Sequence, residues 1–195
     1  MRTSRSKRSA WVLGILAVLL SIPVAVACVI PRDLAGQVKL SGDEIAIGRV
    51  LGVHEIWLEE ASGGSFPWTI VDFDVEESFV TGKTGSLKIA TRGGLQAGSP
   101  STSITPSPED LKSDRKLLVF LNTRNFESAE LGASAPYVIA SFAEVYRIEE
   151  IDTRTGPRQI LVGQGAGMAF PANVELDQAR SEIKILTSAK GGEKR

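Results

Sequence analysis

The side chains of this chain that could do chemistry are few and scattered. His54 is the sole histidine. A hydrolytic triad would need it beside a positioned serine and a carboxylate, and the chain has no Gly-x-Ser-x-Gly elbow to position the nucleophile. It reads as a surface or rim histidine. Asp72, Asp74 and Glu76 offer carboxylate oxygens of the kind that suit calcium. Alternate residues on one strand stand roughly 6.6 Å apart at a rise of ~3.3 Å per residue, too far to converge on one ion without a facing strand or loop. A solvated strand face is the simpler reading. Gly163-Gln164-Gly165-Ala166-Gly167 lacks the Lys and Ser/Thr of a phosphate-binding P-loop, and it reads as a flexible connection. No catalytic residue, metal site or cofactor is expected.

Three aromatics, Trp57, Phe66 and Trp68, flank what reads as the first hairpin loop. Exposed rings at such a position can stack on sugars or bases; cross-strand packing at the hairpin end explains them more simply. The ligand platform is the leading specific-binding expectation, with a glycan as its ligand.

The element that must position these groups runs from Thr69 to Phe79. Val71, Phe73 and Val75 alternate there with Asp72, Asp74 and Glu76, the period of two that marks a strand buried on one face. Three acidic side chains on the wet face exclude a parallel sheet covered on both sides, so the strand belongs to an antiparallel sheet curled round its own core.

The first 27 residues carry an address. Arg2, Arg5, Lys7 and Arg8 precede an apolar run from Trp11 to Val26, broken by Pro23, and Ala25-Val26-Ala27 is a small-residue cleavage pattern. This is the layout of a secretory signal. The run of about 16 is shorter than the ~20 residues a spanning helix needs. Beyond the leader, 18 Lys and Arg face 23 Asp and Glu, a difference of 18 − 23 = −5. An acidic surface disfavours non-specific binding to nucleic acid or to anionic lipid head groups, both of them polyanions. Cys28 is the sole cysteine, so no internal disulfide can form.

Along the rest of the chain, residues 28–43 read as a tether with a short leading strand at Gln37–Leu40. Glu44–Leu58 is a long strand with Ile45, Ile47, Leu51 and Val53 on one parity, and Gly48 and Gly52 predict a bulge or bend. Glu59–Pro67 is the hairpin loop. Ser86–Arg92 is a third strand, and residues 93–114, rich in Gly, Pro and Ser, form a long loop with nothing for a core. Lys116–Leu121 is a central apolar strand. Tyr137–Ala140, Ala143–Ile151 and Arg158–Gln164 follow as strands, the last two joined by a hairpin turn at residues 152–157. Val174–Leu186 places Leu176, Ala179, Ile183 and Leu186 on one helical stripe, with Asn173 as N-cap. Residues 188–195 read as a disordered tail.

Two resemblances extend this reading. Ala25-Val26-Ala27-Cys28 resembles a bacterial lipobox, with Ala25 where leucine is usual. That resemblance implies acylation of Cys28 and a membrane partner held through the lipid; free secretion is the alternative. The order Gly48-Arg49-Val50, Val71 to Glu76 with Gly82, Ile89 to Gly94, Leu117 to Leu121, Tyr137-Val138-Ile139 and Leu176 to Leu186 resembles exported bacterial proteins with an OB-like barrel. It covers about Ile45 to Leu186, and the usual basic-Gly turn before the Leu117 strand is replaced by Lys112-Ser113-Asp114-Arg115. A weaker likeness is to the netrin and metalloprotease-inhibitor class of OB barrels, whose several disulfides one cysteine cannot supply. The resemblance implies a mainly β chain: a small antiparallel OB-like β-barrel over residues 44–187 with a short C-terminal helix, preceded by a signal segment. The function expected is that of a non-catalytic envelope module that binds a protein or glycan; a sugar-binding module and a secreted hydrolase are the competing classes.

Overall fold

A computed structural model describes residues 33–40, 43–59, 63–93, 109–123, 137–138, 144–165 and 167–192. The leader, Cys28 and most of the long loop at 93–114 lie outside the described residues. The chain is mainly β. Its strands are β1 (Glu44–Glu59), β2 (Ser65–Ser78), β3 (Gly85–Arg92), β4 (Lys116–Thr123), β5 (Tyr137–Val138), β6 (Val145–Thr153), β7 (Gly156–Leu161) and β8 (Val174–Glu175), with helices α1 (Leu34–Leu40) and α2 (Leu176–Gly192). Pairing follows β1-β2-β3-β5-β4-β6-β7-β8, and β1 also pairs with β4. All pairs are antiparallel except β3 with β5. Among the described residues no helix is long and apolar enough to cross a membrane.

The alternation in β2 does what its pattern demands. Val71, Phe73 and Val75 are buried with Ala46, Val50, Ile89, Leu117 and Val119, while Asp72, Asp74 and Glu76 lie on the opposite face, half-buried or exposed. The strand starts earlier than expected, at Ser65. It pairs with β1 as far as Glu59, which shortens the hairpin loop. Leu117 to Leu121 of β4 are all buried, as a strand flanked by β1, β5 and β6 requires.

The β1–β2 ladder is irregular where the glycines of β1 predict it. The pairing with β2 shifts between Ile47 and Gly48 and again between Val50 and Gly52. The first shift leaves Glu76 of β2 without a partner in β1 and the second leaves Leu51 of β1 without one in β2, so only the second changes which face the following β1 side chains occupy. Alternation puts Ile45 and Ile47 in one cluster and Ala46 and Val50 in another, and the shift at Leu51 then brings Val53 to the face of Val50. Leu51, expected on the parity of Ile45, is instead 54% exposed.

Five further expectations are corrected. Residues 37–40 are not a strand: α1 forms there because Asp33 caps it, its carboxylate accepting from the Gly36 amide at 2.7 Å. That helix buries Gln37 and Val38, so this part of the chain is docked rather than a free tether. The end of the long loop does reach a core, since Leu111 is buried beneath a turn that Arg147 holds through Asp110. Asn173 does not cap α2; its carboxamide oxygen accepts from the Gly163 amide at 2.9 Å. Helix α2 continues to Gly192, past the start of the expected tail.

The stripe on α2 packs as its spacing requires. Leu176, Ala179 and Ile183 join Val38, Ile45, Ile47, Phe120, Tyr146 and Phe170 in one cluster. A charged clamp accompanies this contact: Glu77 of β2 accepts from Arg180 Nε at 2.8 Å and Lys184 Nζ at 2.9 Å. Burial raises the Glu77 pKa, but hydrogen bonds and charge from Lys184 and Arg180 outweigh it and hold the carboxyl below the ordinary 4.5. A carboxyl depressed in the folded state adds stability above its unfolded pKa, and that stability is lost as the pH falls through the folded value. We expect acidification from about pH 6 to about pH 3 to destabilise the wild type by about 1 kcal/mol more than Glu77→Gln, a modest sum because the pair is partly exposed. Equal slopes of urea midpoint against pH in the two proteins would show that the clamp contributes nothing.

Candidate functional site

The aromatic set is split by strand geometry. Cross-strand partners point to one face, and Ile56 pairs with Trp68, Leu58 with Phe66 and Trp57 with Pro67. Phe66 and Trp68 therefore share a face that Trp57 does not. Trp68 is only 1% exposed, packed with Ile70, Ala90 and half-buried Ile56. Phe66 is half-buried and Trp57 is 55% exposed. The structure does not bring these three rings together as a platform; of the three, Trp57 alone stands open to a ligand.

His54 is half-exposed and its Nδ1 lies 3.9 Å from Asp72 Oδ2. That exceeds hydrogen-bonding distance. The acidic face is answered by bases: Glu76 receives Arg49 Nε at 2.7 Å and Lys116 Nζ at 2.8 Å. Burial raises the Glu76 pKa, yet the hydrogen bonds and charges of Lys116 and Arg49 prevail and lower it. Among the described residues no group of three or more His, Cys, Asp or Glu is placed to hold a metal ion. The glycine-rich segment is engaged, not loose. The Gly163, Gln164 and Gly165 amides donate to Asn173 Oδ1, Phe170 O and Pro171 O, so they do not form an open phosphate cradle.

Residue-by-residue reading missed a groove of about 340 Å³ on the outer side of β1, β4, β6 and β7. Arg49 comes from β1, Lys116 from the start of β4, and Lys112 and Arg115 from the turn before it. Asp114 and Glu150 add carboxylates, and the side chain of Ile148 an apolar wall. Backbone bonds brace the turn. Val50 N donates to Arg115 O at 3.1 Å, and Asp114 N donates to Val50 O at 2.8 Å. Asp114 takes φ 64°, the left-handed conformation that a non-glycine residue adopts rarely. Each base has an acidic partner, with Arg115 Nη1 3.0 Å from Glu149 and Lys112 on Glu109. The available signal was three basic residues within Lys112–Lys116. Their convergence with Arg49 depends on the β1–β4 register, in which Arg49 faces Lys116.

No family model, curated protein or solved structure matches the chain.

Proposed function

We propose that the chain is an exported, non-catalytic binding module of the cell envelope, held to a membrane by a lipid on Cys28 and framed by an OB-like barrel. The groove carries this reading. Its polar side chains are held by backbone bonds and ion pairs, the arrangement of a preformed recognition surface, and its volume suits a small ligand or one group of a larger one. Support for the frame comes from the pairings: β1 joins both β2 and β4, and β5 joins β3 to β4. An OB-fold is a five-stranded, partly open Greek-key barrel. Support for export is the basic start, the apolar run and Ala25-Val26-Ala27-Cys28.

Intact mass of the protein isolated from its host tests the address. A chain beginning at Cys28 with a diacylglyceryl increment is expected; an unmodified chain beginning there would mean free secretion, and a retained leader would defeat export by cleavage.

The exposure of Trp57 favours a second reading, recognition of a glycan at the hairpin. On that reading, glycans quench the tryptophan fluorescence and Trp57→Ala abolishes the response, while buried Trp68 contributes none of it. Absence of quenching across a broad glycan panel would dismiss it. A hydrolase using His54 predicts turnover that His54→Ala removes.

A further inference from the structure

We infer that the groove beside β1 and β4 binds an anionic phosphate group. The inference rests on the reading of the domain as a binding module and names the ligand class for that site.

Four cations, Arg49, Lys112, Arg115 and Lys116, line the groove against two carboxylates, Asp114 and Glu150. Counting Glu76, Glu109 and Glu149, which pair these cations from beside the groove, five carboxylates meet four cations, so the groove offers clustered donors rather than an excess of positive charge. The acids that pair the cations, Glu76, Glu109 and Glu149, are not themselves among its described lining residues. They hold the bases in place, and bases already held lose little freedom when a ligand arrives. The pairs also leave donors over. A guanidinium carries five N–H groups and an ammonium three. Glu76 takes Nε of Arg49, and Glu149 takes Nη1 of Arg115. Two planar forks and two ammonium groups around one concavity match the oxygens of a phosphate, which arginine can meet through paired hydrogen bonds. The volume admits one or two phosphate groups and excludes deep entry of a polymer.

Two sources share this chemistry, a soluble phosphate compound and the headgroup of an anionic phospholipid. The test uses the protein isolated from its host in two arms: calorimetric titration with inorganic pyrophosphate, and co-sedimentation with phosphatidylcholine vesicles containing phosphatidylglycerol. Saturable binding is expected in at least one arm, weaker on raising salt from about 0.05 M to about 0.3 M. Arg115→Ala and Lys112→Ala should each weaken it about tenfold. Lys39→Ala, at an exposed position of α1, should leave it unchanged. Lys112 is exposed and paired with exposed Glu109, so that variant keeps the test valid should Arg115→Ala disturb folding.

Binding of pyrophosphate identifies a soluble source. Binding of vesicles alone identifies the headgroup. Failure in both arms overturns the inference, as does binding that neither variant weakens. Such failure leaves the envelope-module reading standing, because the mass measurement and the glycan titration address that reading separately.

Discussion

Gly48→Ala is expected to lose about 3 kcal/mol or more of stability, read as a lower urea midpoint at unchanged slope. The reason is contact with the partner strand. A Cβ at residue 48 would stand 2.1 Å from the carbonyl oxygen of Asp74 and 2.8 Å from Cε1 of Phe73. The first of these is backbone, held in the β1–β2 ladder at the point where its register shifts, so it cannot swing aside as a side chain would. The neighbouring bulge supplies the control. A Cβ at Gly52 would find its nearest atom, Asp72 Oδ2, at 3.8 Å, an ordinary contact. Gly52→Ala should therefore stay within about 0.5 kcal/mol of wild type. Equal effects of the two substitutions would mean that close approach at Gly48 does not set the cost.

Phe73→Ala should lose about 3–5 kcal/mol, the range for emptying the site of a fully buried aromatic ring. Phe73 is inaccessible to solvent and lies in the cluster that unites β1, β2, β3 and β4. Removing its ring opens a cavity at that meeting of strands. Trp57→Ala removes a larger side chain, yet from solvent, and should cost no more than about 0.5 kcal/mol. If urea unfolding finds the Trp57 variant the weaker of the two, the assignment of inner and outer faces in this hairpin is wrong. The Gly48 and Phe73 substitutions should also be non-additive. A methyl at residue 48 clashes partly with the Phe73 ring, so Phe73→Ala relieves that part of the overlap and leaves the backbone part.

The one-faced strand and the helical stripe were legible because they depend on neighbours in sequence. Alternation along Val71 to Glu76 predicts a one-faced strand, and Leu176, Ala179 and Ile183 recur at the spacing of a helix turn. Asp33 was an equally local signal for α1, overlooked because seven residues show too little periodicity. Other features were not local. The bulge that leaves Leu51 unpaired with β2 put it in solvent, and the reach of the hairpin decided that Trp68 went into the core while Trp57 stayed in water.

By itself, then, the sequence determined a mainly β chain with a one-faced acidic strand, a C-terminal helix, and glycines placed where β1 must bend. Only the tertiary structure decided which aromatic is exposed, and only it gathered Arg49 with Lys112, Arg115 and Lys116 around one groove. The reason is physical: a side chain's face along a strand follows from its neighbours, but its company across strands follows from register, which bulges and long-range pairing set together.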